Sequence, residues 1–196
     1  MSVIRVFIAV RLSPEIQLKL GSISAQLKKQ IKGSIVRWVP VNNIHITLKF
    51  LGDVSIANLE LLKKIIQSEA FHYENFKLSV GELGVFPSQN RPRVIWVGVR
   101  APEELAFLQK GIETETERLG YKVEERPFSP HLTLGRVNRT ATSEDVRGLG
   151  EILGSVNVGY LGEMAVDQVH IYKSDLQPGG SVYTCLFSAP LRTHEF

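Results

Sequence analysis

The chain has 196 residues, 43% of them apolar and 22% charged, a balance that supplies a full hydrophobic core and excludes disorder as the main state. A net charge of +3 and an isoelectric point near 9.0 favour a phosphorylated ligand, but fall short of the basicity of a protein that coats nucleic acid. Cys185 is the only cysteine, which rules out an intramolecular disulfide and a thiolate zinc site and fits a reducing cytoplasm.

VIRVFIAVRL at 3–12 reads as a strand, because its apolar run is too short for a membrane span and no signal-peptide cleavage pattern follows. Ser13-Pro14-Glu15 combines a hydroxyl cap, a proline at the first helical position and an acid near the positive end, so a helix is expected from there to about Lys32, stopped by Gly33. An extended piece at 35–40 ends on Pro40, IHITLKFL at 44–51 is a strand, and Ser55 is expected to cap a helix over 56–70. Strands at 76–86 and 93–100, joined by a loop holding Pro87 and Pro92, predict a hairpin with a mobile tip. A helix over 102–119 stops at Gly120, HLTLGRV at 131–137 is a strand, and Thr142 to Asp145 form a capping box for a helix over 143–153. Strands over 158–172 and 182–189 close the chain.

End to end this order is a coarse duplication, with no short-period repeat and no long linker. The expected fold class is α+β: one bilobal domain over 1–196, two lobes related by a pseudo-two-fold, each an antiparallel or mixed sheet backed by helices, with a cleft between them. Each half carries one strand in which a histidine and a threonine stand two residues apart on the same face, His45 with Thr47 and His131 with Thr133. Burying such groups unpartnered would be costly, and a lone histidine on a strand is usually a satisfied core or surface residue. The doubling points instead to a shared site.

Two imidazoles and two hydroxyls suit attack on a phosphodiester without a metal. One histidine accepts a proton from water while the other delivers one to the departing sugar oxygen, each transfer worth roughly 10²- to 10⁴-fold. The threonine hydroxyls would donate to non-bridging phosphate oxygens as charge rearranges. Lys49 and Arg136 are candidate cations: unbroken alternation puts Lys49 on the His45 face, whereas Arg136 needs a bulge or bend at Gly135 to join His131.

WVPVNNIHITLKFLG and FSPHLTLGRV resemble the two signature motifs of the 2H phosphoesterase superfamily. Within it, RVFIAV, GVFPSQNRPRVIWVGV and VHIYKSDLQPGGSVYTCL are similar to the RNA 2',3'-cyclic phosphodiesterase branch, historically the 2'-5' RNA ligase family, with its LigT-like fold. The resemblance covers nearly the whole chain. It implies a metal-independent enzyme without a cofactor, acting on RNA 3' ends that carry a 2',3'-cyclic phosphate, opening the ring to a 2'-phosphate, and in some members joining or cleaving 2'-5' linkages in tRNA halves. By the same resemblance His45 and His131 are the catalytic positions, Thr47 and Thr133 bind substrate with them, Arg136 matches a phosphate-contacting arginine, and Phe50 matches an aromatic position that touches the terminal nucleoside, its alternative on a strand being a place in the core. The near-symmetric site leaves acid and base undetermined, with a preference for His131 as base and His45 as acid. The pair should titrate together and give a bell-shaped rate profile.

Other residues are read more plainly. His72 and His194 are taken as surface residues, and His170 beside Tyr172 either faces the cleft or packs in the sheet. PGGSVY at 178–183 joins two strands with no helix behind it, against a phosphate-binding loop of the P-loop kind. Trp38, Trp96, Phe86 and Phe128 are read as core, with one or two at the cleft near the nucleobase, and Arg91 and Arg93 either steer RNA or form an ordinary charged hairpin tip. The protein is expected to be a cytoplasmic monomer without membrane contact. Rival readings are an RNA-end binding module that does no chemistry, and the same site acting on another cyclic or 2'-5'-linked nucleotide. A dinuclear metallophosphoesterase is disfavoured, because carboxylates are missing around the histidine motifs.

Overall fold

Five consecutive buried residues, Val6 to Val10, make the first strand, β1 (Val3–Arg11), one that is covered on both faces. The computed structural model describes residues 2–178 and 180–193, so His194 and Gly179 of the PGGSVY segment lie outside the described residues. Helix α1 (Pro14–Gln30) begins as the sequence dictates, with the Ser13 side chain accepting from the Ile16 amide. Strand β2 (Val36–Trp38) and a 3₁₀ turn lead into β3 (His45–Ser55). Ser55 makes no capping bond: a 3₁₀ turn, Ile56–Asn58, intervenes before α2 (Leu59–Phe71).

Strands β4 (Phe76–Phe86) and β5 (Val94–Arg100) form the expected hairpin, followed by α3 (Glu103–Arg118), β6 (His131–Val137) and α4 (Ser143–Ser155). The hairpin tip is anchored, since Gln89 Nε2 donates to the Gly150 carbonyl in α4 at 2.7 Å. Thr142 and Asp145 make the reciprocal capping box. The region expected to be one strand over 158–172 is two, β7 (Tyr160–Val166) and β8 (Gln168–Gln177), and β9 (Gly180–Pro190) completes the chain. The break falls at Asp167, where the chain leaves one sheet and enters the other.

All strand pairs within the two sheets are antiparallel. The first sheet runs β3-β1-β8-β9 and the second β2-β6-β5-β4-β7. Two of the helices cross between them. Helix α1 follows a strand of the first sheet yet packs on β7 of the second, where Lys19 Nζ donates to the Leu161 carbonyl at 2.7 Å. Helix α3 follows a strand of the second sheet and packs on α2 and β3 of the first. The result is a two-lobed, duplicated α+β fold whose motif strands, β3 and β6, approach one another. No helix among the described residues is long and apolar enough to cross a membrane.

Candidate active site

Strands β3 and β6 repeat one another residue by residue. In β3, Ile46, Leu48, Lys49 and Leu51 are buried while His45 and Thr47 are half-buried and Phe50 is exposed; in β6, Leu132, Leu134, Gly135 and Val137 are buried, His131 and Thr133 half-buried and Arg136 exposed. A β-bulge immediately past each histidine-threonine pair sets this pattern. Pairing with β1 passes from Thr47 opposite Ala9 to Lys49 opposite Ile8, skipping Leu48; pairing with β5 passes from Thr133 opposite Trp96 to Gly135 opposite Ile95, skipping Leu134. Each bulge turns two successive side chains toward the core, and the next one, Phe50 or Arg136, back to the histidine face.

Arg136 therefore joins His131 and Thr133 through the bulge at Gly135. Lys49 does not join His45. It is 3% exposed and points to the opposite side, where its ammonium meets the Glu113 carboxylate and the Lys122 carbonyl. Glu113 is also held by the Glu124 amide at 3.0 Å and by Gln109 Nε2 at 3.2 Å, and Gln109 donates as well to the Leu48 carbonyl in the bulge. Unbroken alternation misplaced Lys49, because the bulge shifts the phase by one.

The two imidazoles are held alike. His45 Nδ1 lies 2.7 Å from the Asn43 carbonyl and His131 Nδ1 2.8 Å from the Ser129 carbonyl, in each case two residues back. A carbonyl only accepts, so each Nδ1 carries its hydrogen and each Nε2 is left to exchange a proton with a ligand. His45 stacks on Phe7 at 4.7 Å and meets the edge of Tyr183 at 5.5 Å; His131 meets Phe86 at 5.1 Å, with Trp96 beyond. Burial pushes His45 down from 6.5 to about 4; the Asn43 carbonyl partly offsets this, and the charge of His131 lowers it further. The approach of β3 to β6 brings the two histidines within electrostatic reach of one another. Among the described residues neither the Thr47 nor the Thr133 hydroxyl makes a hydrogen bond, so both are available to a ligand. The motif strands supply two proton-exchanging nitrogens, two hydroxyl donors, a guanidinium and an aromatic ring.

The family model for LigT-like phosphoesterases matches the chain twice, over residues 10–96 and 97–183. The chain belongs to the LigT-like phosphoesterase family. Each match contains one histidine-threonine strand, and the division between them falls inside β5. An RNA 2',3'-cyclic phosphodiesterase of Methanothermobacter thermautotrophicus is 34% identical over 181 residues, 92% of this chain and 95% of that one. A crystal structure of a Thermus thermophilus protein superposes with a TM-score of 0.80 at 26% identity, covering 97% of this chain and 100% of that one. Escherichia coli LigT complexed with 3'-AMP has a TM-score of 0.74 at 26% identity, over 97% of this chain and 99% of LigT.

In this LigT-like frame the remaining predicted residues sort by face. Trp96 and Phe86 lie on the His131 side of their sheet, whereas Trp38 lies on the other, under Lys28 of α1. Phe128 packs half-buried against the core, His72 is exposed, and Arg91 and Arg93 are exposed and, among the described residues, make no ion pair. His170 resolves both alternatives at once: it is on the side of Tyr172, whose ring stacks on Phe7, yet only 5% exposed, with Nδ1 2.8 Å from Ser188 Oγ. Burial, reinforced by the Arg11 charge and partly offset by Asp167, pushes His170 to about 4.

Sequence reasoning missed the surroundings of His45. Phe7 and Tyr183 meet it from strands far apart in the chain, and Arg11, which pairs opposite it, donates through Nε to the Tyr172 hydroxyl at 3.1 Å. The Asn43 and Ser129 carbonyls are backbone groups and leave no mark in residue identity.

Proposed function

We propose that the protein hydrolyses RNA ends carrying a 2',3'-cyclic phosphate to a 2'-phosphate, using His45 and His131 as acid and base. The observation that carries this reading is the matched pair of histidines, each fixed through Nδ1 by a carbonyl two residues back, each leaving Nε2 for chemistry, and each beside an unengaged threonine hydroxyl. The name of the relatives as RNA 2',3'-cyclic phosphodiesterases supports the substrate.

Water attacks phosphorus, His131 Nε2 takes its proton, the bond from phosphorus to the 3' oxygen breaks, and His45 Nε2–H gives that oxygen its proton. The monoester stays on the 2' oxygen. Solvation distributes the roles. His131 is held by a bond at the exposed rim, where it meets water; His45 sits against Phe7 and Tyr183, where burial keeps it neutral until an anionic phosphate arrives. A desolvated imidazolium formed there is a stronger acid for a leaving alkoxide than one in water. Thr47, Thr133 and Arg136 hold the non-bridging oxygens, and Phe50, 64% exposed, offers its ring to the terminal nucleoside. With a 5'-hydroxyl end in place of water as the nucleophile, the same chemistry joins tRNA halves through a 2'-5' linkage, and run in reverse it cleaves that linkage.

The two lobes act as one domain, as a monomer in the cytoplasm, a compartment consistent with the single thiol, Cys185. The test is a short RNA ending in a 2',3'-cyclic phosphate, incubated with excess chelator and followed by phosphorus NMR. Accumulation of the 2'-phosphate monoester supports the reading. A 3'-phosphate product reverses the acid's target oxygen, and binding without turnover leaves an RNA-end binding module.

A further inference from the structure

Strand β2 lies at the edge of the second sheet, paired with β6 so that Arg37 stands directly opposite Arg136. Paired residues of an antiparallel ladder project to the same face. Arg136 is opposite Val94 and Thr133 opposite Trp96 on β5, which fixes that face as the one carrying His131, and Arg37 shares it. Val36 and Trp38 project the other way, where a Cβ on Gly135 would meet them at 2.7 and 3.2 Å.

Like charges directly opposite one another destabilise a sheet, and ordinarily a carboxylate sits between them. Here none does. Arg37 and Arg136 are exposed and, among the described residues, make no ion pair and no side-chain hydrogen bond; the carboxylates that form ion pairs are engaged with other cations. Two more exposed arginines that make no ion pair among the described residues end the same sheet: Arg93, whose carbonyl accepts from the Val137 amide, and Arg139 just past β6. Such a cluster is matched by an anion with several acceptor oxygens.

Because the bulge takes up Leu134, Arg136 stands two β5 positions past Thr133, about 7 Å along the sheet at roughly 3.3 Å per residue. Arg37 lies one strand further from β5. Phosphates of a stacked single strand advance roughly 3.4 Å each, so this distance falls within the last three nucleotides of a chain whose end occupies the histidine site. We infer that Arg37 and Arg136 form a second phosphate subsite that takes an internal phosphate of the RNA, so that the enzyme selects oligonucleotides over nucleoside cyclic phosphates. This rests on the hydrolase reading above and deepens it: Arg136 bridges the reacting phosphate and the next, and Arg37 serves the strand alone.

The experiment compares kcat/KM for a tetranucleotide ending in a 2',3'-cyclic phosphate with that for a nucleoside 2',3'-cyclic phosphate, in wild type, Arg37→Gln and Arg37→Lys, across a salt series. Wild type should favour the tetranucleotide, and Arg37→Gln should cut that preference roughly tenfold through KM, with kcat for the tetranucleotide retained. The log-log salt slope for the tetranucleotide should shrink by about 0.7, the share of one phosphate contact on a single strand. Arg37→Lys should keep the slope while losing part of the preference, since an ammonium lacks the planar fork. Equal kcat/KM for both substrates in wild type, or an Arg37→Gln defect of the same size on both, overturns the subsite and leaves the hydrolase reading standing. Wild type that converts neither substrate removes the hydrolase reading, and this one with it.

Discussion

Glu113→Gln should be among the most damaging single changes available outside the cleft. The variant leaves the Lys49 ammonium, 3% exposed, facing a neutral amide that cannot balance its charge, while the Glu124 amide and Gln109 lose a charged acceptor. Breaking one partner of a buried pair costs about 3–5 kcal/mol. For a chain of this size each kcal/mol shifts Tm by about 2–4 °C, so a fall of about 6–20 °C is expected. Urea denaturation gives the free energy directly, as a lower midpoint with an unchanged slope. Because Gln109 also donates to the Leu48 carbonyl, the same network holds the bulge that turns Phe50 toward His45, and kcat/KM should fall well below the folded fraction. The double variant Lys49→Met with Glu113→Leu removes both charges and should recover most of the stability. A loss under about 1 kcal/mol for Glu113→Gln, or a double variant as unstable as the single, would refute the claim that an uncompensated buried charge is what matters.

Four further outcomes follow from the geometry. Gly135→Ala places a methyl 2.7 Å from Val36 Cγ1, so β2 must shift; about 1–3 kcal/mol of overpacking is expected by calorimetry, with a loss of activity as Arg136 moves. Stability should fall as pH drops from about 6.5 to about 4: the unfolded chain protonates His45 and His170 at the ordinary value, while burial holds both near 4 in the folded state, so unfolding takes up protons in that window. The His45 share is at most about 3 kcal/mol, and His45→Asn should weaken the pH dependence of the urea midpoint over that range, with the His170 share remaining. Thr133→Val should lower kcat by 10-fold or more with the melting curve retained, as expected for loss of a donor to a developing charge. On a nucleotide 4-nitrophenyl ester, whose leaving group departs without a proton, the His45→Ala defect should shrink at least tenfold and the His131→Ala defect should persist.

The site was legible in the sequence to the extent that local pattern specifies it. His45 and Thr47, like His131 and Thr133, are two apart on strands, and a spacing of two fixes a shared face whatever the tertiary context. The requirement for a bulge at Gly135 was legible too, because Arg136 falls out of phase with Thr133. The matching bulge at Leu48 and Lys49 was not, since Lys49 in phase with His45 made chemical sense as it stood; only the Glu113 carboxylate on α3 shows where the ammonium belongs. The strand expected over 158–172 hid a sheet crossing at Asp167, because β7 and β8 are both apolar enough to read as one run. Phe7, Tyr183 and Arg37 owe their places to cross-strand pairing between distant segments, which single-strand periodicity does not carry.

The most direct test of the central claim, that one histidine from each lobe works in a single proton-transferring site, is the turnover of an RNA 2',3'-cyclic phosphate by His45→Ala, His131→Ala and the double variant. Each single change should lower kcat by roughly 10²- to 10⁴-fold with KM little altered, and the double variant should lose far less than the product of the two. Wild-type turnover by either single variant would contradict it.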